Sequence, residues 1–258
     1  PMDTMLRYTP GQQTPIFKTI FRFHNQNVLQ HAEQCNGSGD CRKTELSGGT
    51  MCPSFMATRD EKDTTRARAN ILREFLTHSD KLNRFDHKEI YEVMDLCLSC
   101  KGCKSECPSN VDVAKLKAEF MQHYYDANGV PFRSKLIANF SRSARLGSMA
   151  PGIYNFFIKN SLTGTLIKKL SGFATKRSLP AMHKMTLIRW YKRNRDSRSK
   201  EQGTMPKKKV YLFCDEFTNY NDTEIGIKAI QLLNKLGYEV IIPEHIESGR
   251  TWLSKGLI

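Results

Sequence analysis

The stretch Cys97-Leu98-Ser99-Cys100-Lys101-Gly102-Cys103-Lys104-Ser105-Glu106-Cys107-Pro108 has the spacing C-x2-C-x2-C-x3-C-P. Three thiolates at successive gaps of two let one short loop wrap around a cube of iron and sulfide, and the proline after the fourth cysteine turns the chain away. This is an electron-carrying signature. Zinc competes for thiolates, but zinc sites normally present two separated pairs that close a tetrahedron. Four cysteines between Cys97 and Cys107 suit that geometry poorly. Plain buried thiols are the third reading.

The chain has 258 residues and 8 cysteines, enough length to bury a core without a disulfide framework. It shows no secretory signal and no apolar run long enough to span a bilayer. The cysteines therefore point to a reducing, cytoplasmic setting.

The fourth cysteine of such a run often ligates a second cluster, so a partner motif is expected. Upstream lie Cys35-Asn36-Gly37-Ser38-Gly39-Asp40-Cys41 and, after ten intervening residues, Cys52-Pro53. Laid over the downstream run, Cys35, Cys41 and Cys52 take the first, third and fourth positions, and Ser38 takes the second. Crossed ligation gives Cys97, Cys100, Cys103 and Cys52 as one full thiolate set, while a single cluster closed locally by Cys107 remains the alternative. The other set, Cys35, Cys41 and Cys107, is short of a ligand, because the Ser38 hydroxyl binds soft iron-sulfur clusters poorly. That second site is a three-iron cluster, a labile four-iron cluster, or a vestige in which Cys35 and Cys41 are buried packing thiols.

The arrangement resembles the iron-sulfur portion of FAD-linked D-2-hydroxyacid dehydrogenases, the group oxidising D-lactate, glycolate and D-2-hydroxyglutarate. The likeness is carried by Pro1-Met2-Asp3 with Leu6-Arg7-Tyr8, Cys41-Arg42-Lys43, Met51-Cys52-Pro53-Ser54, Thr58-Arg59-Asp60-Glu61 and Thr65 to Asn70. Asp95 to Lys104 and Glu106-Cys107-Pro108 complete it. The resemblance implies a helical ferredoxin domain followed by a cysteine-rich domain, and it favours one 4Fe-4S cluster over two. It also implies an FAD domain upstream on the same polypeptide, since nothing in this chain reads as a flavin-binding fold. Beginning at Pro1 and stopping at Ile258 in mid-pattern, the chain reads as a piece of a longer polypeptide.

Around the cysteines the pattern is helical. Thr58-x-x-Glu61 reads as a capping box opening a helix over about 57–77, with Arg66 and Arg68 either steadying an anionic cluster or forming a solvated basic face. A second helix, about 87–96, delivers Cys97. A third starts at Asn110 as cap, carries Val113, Leu116, Phe120 and Tyr124, and stops at Asn128-Gly129.

Residues 133–209 hold 19 Lys and Arg against Asp196 and Glu201, a net +17 within a chain of net +14. Such a stripe suits an anionic membrane surface or an acidic partner, whereas no nucleic-acid fold is recognisable. Apolar clusters such as Ile153 with Phe156 and Phe157, and Leu166 with Ile167 and Leu170, interleave with the charges. A solvated face on packed helices is the plainer reading. Arg177, Leu179, Pro180 and Arg189-Trp190 resemble the segment that joins the ferredoxin to the cysteine-rich domain in this family and its glycerol-3-phosphate dehydrogenase relatives.

Asp196 to Pro206 is polar enough for a linker. Beyond it, a strand at 209–214, a helix at 222–236 and a strand at 238–242 predict a β-α-β unit. It resembles the opening of the cysteine-rich module of heterodisulfide reductases. Cys214 matches that module's first cysteine, but Glu247-Ser248 stand where its cysteine pair belongs. A second redox centre is thus doubtful, Cys214 reads as a buried strand residue, and His245 and Glu247 read as satisfied surface groups.

The expected architecture is mainly α: a tail over 1–34, a helical ferredoxin-like bundle over 35–130, a basic helical connector over 131–206, and the start of an α/β domain over 207–258. The expected role is electron relay from flavin-dependent 2-hydroxyacid oxidation, through Cys97, Cys100, Cys103 and Cys52 or Cys107, to an acceptor the sequence does not identify. A cytoplasmic protein, with peripheral contact at the inner face of a membrane left open, fits that role. The alternative is a structural or interaction module, with zinc or a vestigial cluster, that docks an acidic partner or membrane surface.

Overall fold

The structure, a computed structural model, describes residues 11–200 and 208–258, with the backbone alone over 195–200. It is mainly α with two short parallel strands, as the sequence pattern predicts. Two compact units form, one running to Val130 and including Trp252–Ile258, the other Pro131–Thr251.

The first unit holds α1 (Val28–Glu33), α2 (Pro53–Thr58), α3 (Thr65–His78), α4 (Lys88–Asp95), α5 (Gly102–Glu106) and α6 (Val113–Asn128). Ala69, Leu72 and Leu76 recur at helical spacing along α3 and are fully buried, as are Ile90 and Met94 of α4 and Leu116 and Phe120 of α6. Tyr91 stacks on Tyr124 at 4.9 Å between ring centres, which ties α4 to α6.

The expected helix over 57–77 is instead two helices. Arg59, in the left-handed region at φ 60°, ends α2, and Thr64 rather than Thr58 caps α3 by accepting from the Ala67 N–H at 2.9 Å. The Thr58 hydroxyl is taken by the Asp63 carboxylate at 2.8 Å, so it is no longer a helix cap. The cap of α6 likewise moves from Asn110 to Asp112, which accepts from the Lys115 N–H at 3.0 Å, because Asn110 lies in the left-handed region at φ 56°. The stop at Gly129 is as expected.

The second unit begins with α7 (Phe132–Ala138), α8 (Phe140–Gly147), α9 (Pro151–Lys159) and α10 (Ser161–Leu170). Its α/β part comprises α11 (Leu187–Lys200), β1 (Lys208–Tyr211), α12 (Glu216–Tyr220), α13 (Thr223–Lys235) and β2 (Tyr238–Ile241). The strands are parallel, Lys208 opposite Tyr238 and Tyr211 opposite Ile241, with α13 between them in sequence. Leu187, Tyr191, Cys214, Ile230 and Val240 form the core of this part, and the Tyr191 hydroxyl donates to the Val240 carbonyl at 2.9 Å. A last short helix, α14 (Arg250–Leu253), follows.

Residues 196–200 of the expected linker are helical, as the C-terminal end of α11; 201–206 and the tail residues Pro1 to Tyr8 lie outside the described residues. Cys214 is buried as expected but sits just past β1, where its N–H donates to His245 Nε2 at 3.2 Å. Burial pushes its thiol up to about 11. The His245 ring stacks on Phe213 at 4.2 Å.

Candidate iron-sulfur site

Two loops come together in the first unit, the one before α2 and the one between α4 and α5. The staple is Glu106 at the end of α5. Its Oε1 accepts from the Thr50 N–H at 2.6 Å and the Thr50 hydroxyl at 2.5 Å, and its Oε2 accepts from the Met51 N–H at 3.1 Å. These bonds, with Lys43 at 3.7 Å, hold the Glu106 carboxyl down to about 2. The approach is close enough that side chains at two glycines would collide. A Cβ on Gly49 would fall 2.5 Å from Glu106 Oε2, and one on Gly102 would fall 2.8 Å from Thr50 Oγ1.

With the loops clamped, Cys52, Cys97, Cys100 and Cys103 line one cavity, with Met51, Pro53, Leu98, Val113 and Ala114 as much of its apolar wall. The cavity is partly open to solvent. Ser99 at φ 54° and Lys101 at φ 62° both take the left-handed conformation, which folds the C-x2-C-x2-C loop tightly enough to present its three cysteines to one side. No carboxylate or imidazole is among the lining residues. Among the described residues, no three Cys, His, Asp or Glu side chains close on a point that one ion would fill. The donor set is four soft sulfurs spread around a space, which fits a 4Fe-4S cluster.

Positive groups surround those sulfurs. Arg68, fully buried, donates through Nη1 to Cys52 Sγ at 3.5 Å, Ser54 Oγ at 3.3 Å and the Asp63 carbonyl at 2.7 Å. Its Nε donates to the Val93 carbonyl at 2.9 Å, and Nη2 pairs with the buried Asp63 carboxylate at 3.4 Å. The solvated-face reading therefore fails for Arg68. Lys117 of α6 is also buried, with Nζ donating to the carbonyls of Cys97 at 2.6 Å and Asp95 at 3.3 Å. It caps the C-terminal end of α4, where a helix favours a cation. Burial lowers the Lys117 ammonium to about 8, against the opposing pull of Cys97. From the other side the Val113 and Ala114 N–H groups, in the first turn of α6, bond the Cys103 sulfur, while burial pushes that thiol up to about 11.

Cys107, Cys35 and Cys41 are not among the cavity's lining residues. Cys35 and Cys41 are both buried, and Cys41 accepts from the Arg66 N–H at 3.4 Å. Burial raises the Cys41 thiol, and neighbouring Cys35 adds to that rise. The Arg66 side chain turns outward to Glu61 at 2.6 Å. The Ser38 N–H donates locally to Asn36 Oδ1 at 3.1 Å. Lys117, Asp63 and the clamping role of Glu106 are site features that the sequence pattern gave no reason to single out; a lysine on an amphipathic helix ordinarily faces water.

The cysteine pattern has a counterpart in known sequences. Residues 34–112 match the 4Fe-4S dicluster domain family. The matched stretch takes in every cysteine except Cys214. The whole chain is 25% identical to D-2-hydroxyglutarate dehydrogenase of Escherichia coli, covering 28% of that protein. It is 26% identical to the same enzyme of Pantoea ananatis, over 88% of this chain and 26% of the relative. Against the Pseudomonas putida enzyme it is 23% identical over its full length, covering 29% of the relative. The chain thus spans just over a quarter of the length of the curated relatives it matches, and it resembles the iron-sulfur portion of such dehydrogenases. No solved structure matches it.

Proposed function

We propose that this chain is the electron-relay portion of an FAD-linked D-2-hydroxyacid dehydrogenase, with Cys52, Cys97, Cys100 and Cys103 as ligands of one 4Fe-4S cluster. The observation that carries the reading is the meeting of those four thiols, from two loops, on one cavity whose lining holds no carboxylate or imidazole. When bound, the cluster supplies one-electron chemistry between a flavin held elsewhere and an acceptor. The four cysteines bind. Arg68 and the first turn of α6 donate hydrogen bonds to two of the sulfurs and so offset negative charge there. Lys117 and Glu106 hold the two loops in place, and the apolar wall restricts water. The substrate's hydroxyacid chemistry is assigned to residues outside this chain, and D-2-hydroxyglutarate, named for the relatives, is the first substrate to test.

Cys107, Cys35 and Cys41 lie outside that cavity, and we assign them to structure rather than to a second complete cluster. The decisive measurement is anaerobic purification followed by iron, sulfide and zinc per chain, with spectra before and after dithionite. About four irons and four sulfides that bleach on reduction support the reading. One zinc without sulfide overturns it. Cys52→Ser is expected to lose the visible band and Cys107→Ser to keep it; the reverse result moves the fourth ligand to Cys107.

A further inference from the structure

The second unit carries a feature that electron relay does not use. Helices α9 and α10 form a hairpin joined through Asn160, whose side chain accepts from the Leu162 and Thr163 N–H groups at 3.0 and 3.3 Å. The Thr163 hydroxyl donates back to the Phe157 carbonyl at 2.7 Å. On this hairpin six large apolar side chains stand in water: Ile153, Phe156 and Phe157 on α9, and Leu162, Leu166 and Leu170 on α10. Their exposures run from 47% at Phe157 to 83% at Leu162. The spacings i, i+3, i+4 and i, i+4, i+8 place each trio on a single helix face. Solvent-facing apolar residues on ordinary surfaces occur singly, so two aligned trios on neighbouring helices mark a surface that is covered in use.

Charge selects the cover. From Pro131 to Asn194 there are 13 Lys and Arg and no Asp or Glu. Lys159, Lys169, Lys176 and Arg177, on and just after the hairpin, are exposed and take part in no ion pair among the described residues. A second copy would bring the same uncompensated charge against itself. Nucleic acid would satisfy the charge but not six exposed aliphatic and aromatic side chains. We infer that the α9–α10 hairpin docks peripherally on an anionic lipid surface, its apolar trios entering the interface and its lysines and Arg177 meeting headgroup phosphates. Spanning is excluded for the hairpin, since no described helix is long and apolar enough to cross a membrane.

The test is flotation of the chain, carrying its cluster, with vesicles of equimolar phosphatidylglycerol and phosphatidylcholine, and with vesicles of phosphatidylcholine alone. Binding is expected on the anionic vesicles and about tenfold weaker on the neutral ones, and it should weaken as salt rises. Leu162→Glu with Leu166→Glu should abolish it, and Lys159→Glu with Lys169→Glu should lower it about tenfold. All four positions are on the surface, so circular dichroism and the visible spectrum should be unchanged in both variants. Failure to float with anionic vesicles overturns the proposal, as does equal binding to neutral ones. So does a wild-type dimer that Leu166→Glu converts to monomer, which would make the face a contact between copies. Binding to DNA with none to vesicles would also overturn it. Flotation and circular dichroism do not depend on the cluster's identity.

Discussion

Arg68 shows most clearly how one side chain serves both fold and site. Its guanidinium, always charged, donates in several directions and is neutralised only in part by Asp63 at 3.4 Å. Replacing it by glutamine leaves Asp63 buried without its cation, a change of the kind that costs about 3–5 kcal/mol. The same substitution removes a donor from Cys52 Sγ and a positive charge beside the sulfurs, which disfavours the more negative, reduced state. Arg68→Gln is therefore expected to lower the midpoint potential as well as the stability, read by an EPR-monitored redox titration and by denaturant unfolding. Arg68→Lys keeps the charge but not the fork of donors, so it should lose stability while holding the potential closer to wild type. A potential indifferent to both variants would confine Arg68 to a structural role. Gly49 makes a complementary case, since its φ of 81° and the 2.5 Å approach of Glu106 both disfavour a side chain. Gly49→Ala should part the two loops and lower iron and sulfide per chain, while Gly11→Ala, at φ 79° but in open space, should not.

Among the elements, α1 and α6 are joined by a titratable bond. His31, buried in α1, accepts at Nε2 from the Asp112 N–H at 3.0 Å, at the cap of α6. Burial lowers the His31 imidazole below its usual value, and nearby Lys115 and Lys104 add to that against the opposing Asp112. An accepting nitrogen must be unprotonated, so the folded state prefers the neutral ring. The sign follows: the contribution is complete above the unfolded value of about 6.5 and is lost as pH falls below it, because the unfolded chain takes up the proton first. Unfolding of the wild type should therefore become easier between about pH 7 and 5.5, and His31→Gln, which keeps an acceptor but does not titrate, should flatten that slope in urea titrations at each pH. The helices themselves were legible where apolar spacing and a glycine stop agreed, as in α6. The caps were not, because Thr58 and Asn110 satisfy the sequence rule for a cap while Asp63 captures one and a left-handed backbone disqualifies the other. Crossing between the loops was half legible: Cys52 stood out by its following proline, but the Glu106 clamp that brings it to Cys97 joins residues 56 positions apart, and no local pattern encodes that.

For the whole molecule, the division into two units implies that the proposed cluster would stabilise one of them and not the other. The cysteines of both motifs, the Glu106 clamp, Arg68 and Lys117 all lie in the first unit. The α/β part has its own core around Leu187, Ile230 and Val240, and Cys214 is its sole cysteine. A group that binds only the folded form of one unit stabilises that unit by mass action. Removing iron with an oxidant and chelator should therefore release amide hydrogen-exchange protection in α3, α4 and α6 and leave α13, β1 and β2 nearly unchanged. Exchange read by mass spectrometry resolves the two sets of segments in one experiment. Loss of protection in both would mean that the cluster stabilises the chain as one cooperative block. Loss in neither would mean that the buried thiols and the Glu106 clamp hold the first unit without it, and that the cavity is built by the fold before any iron arrives.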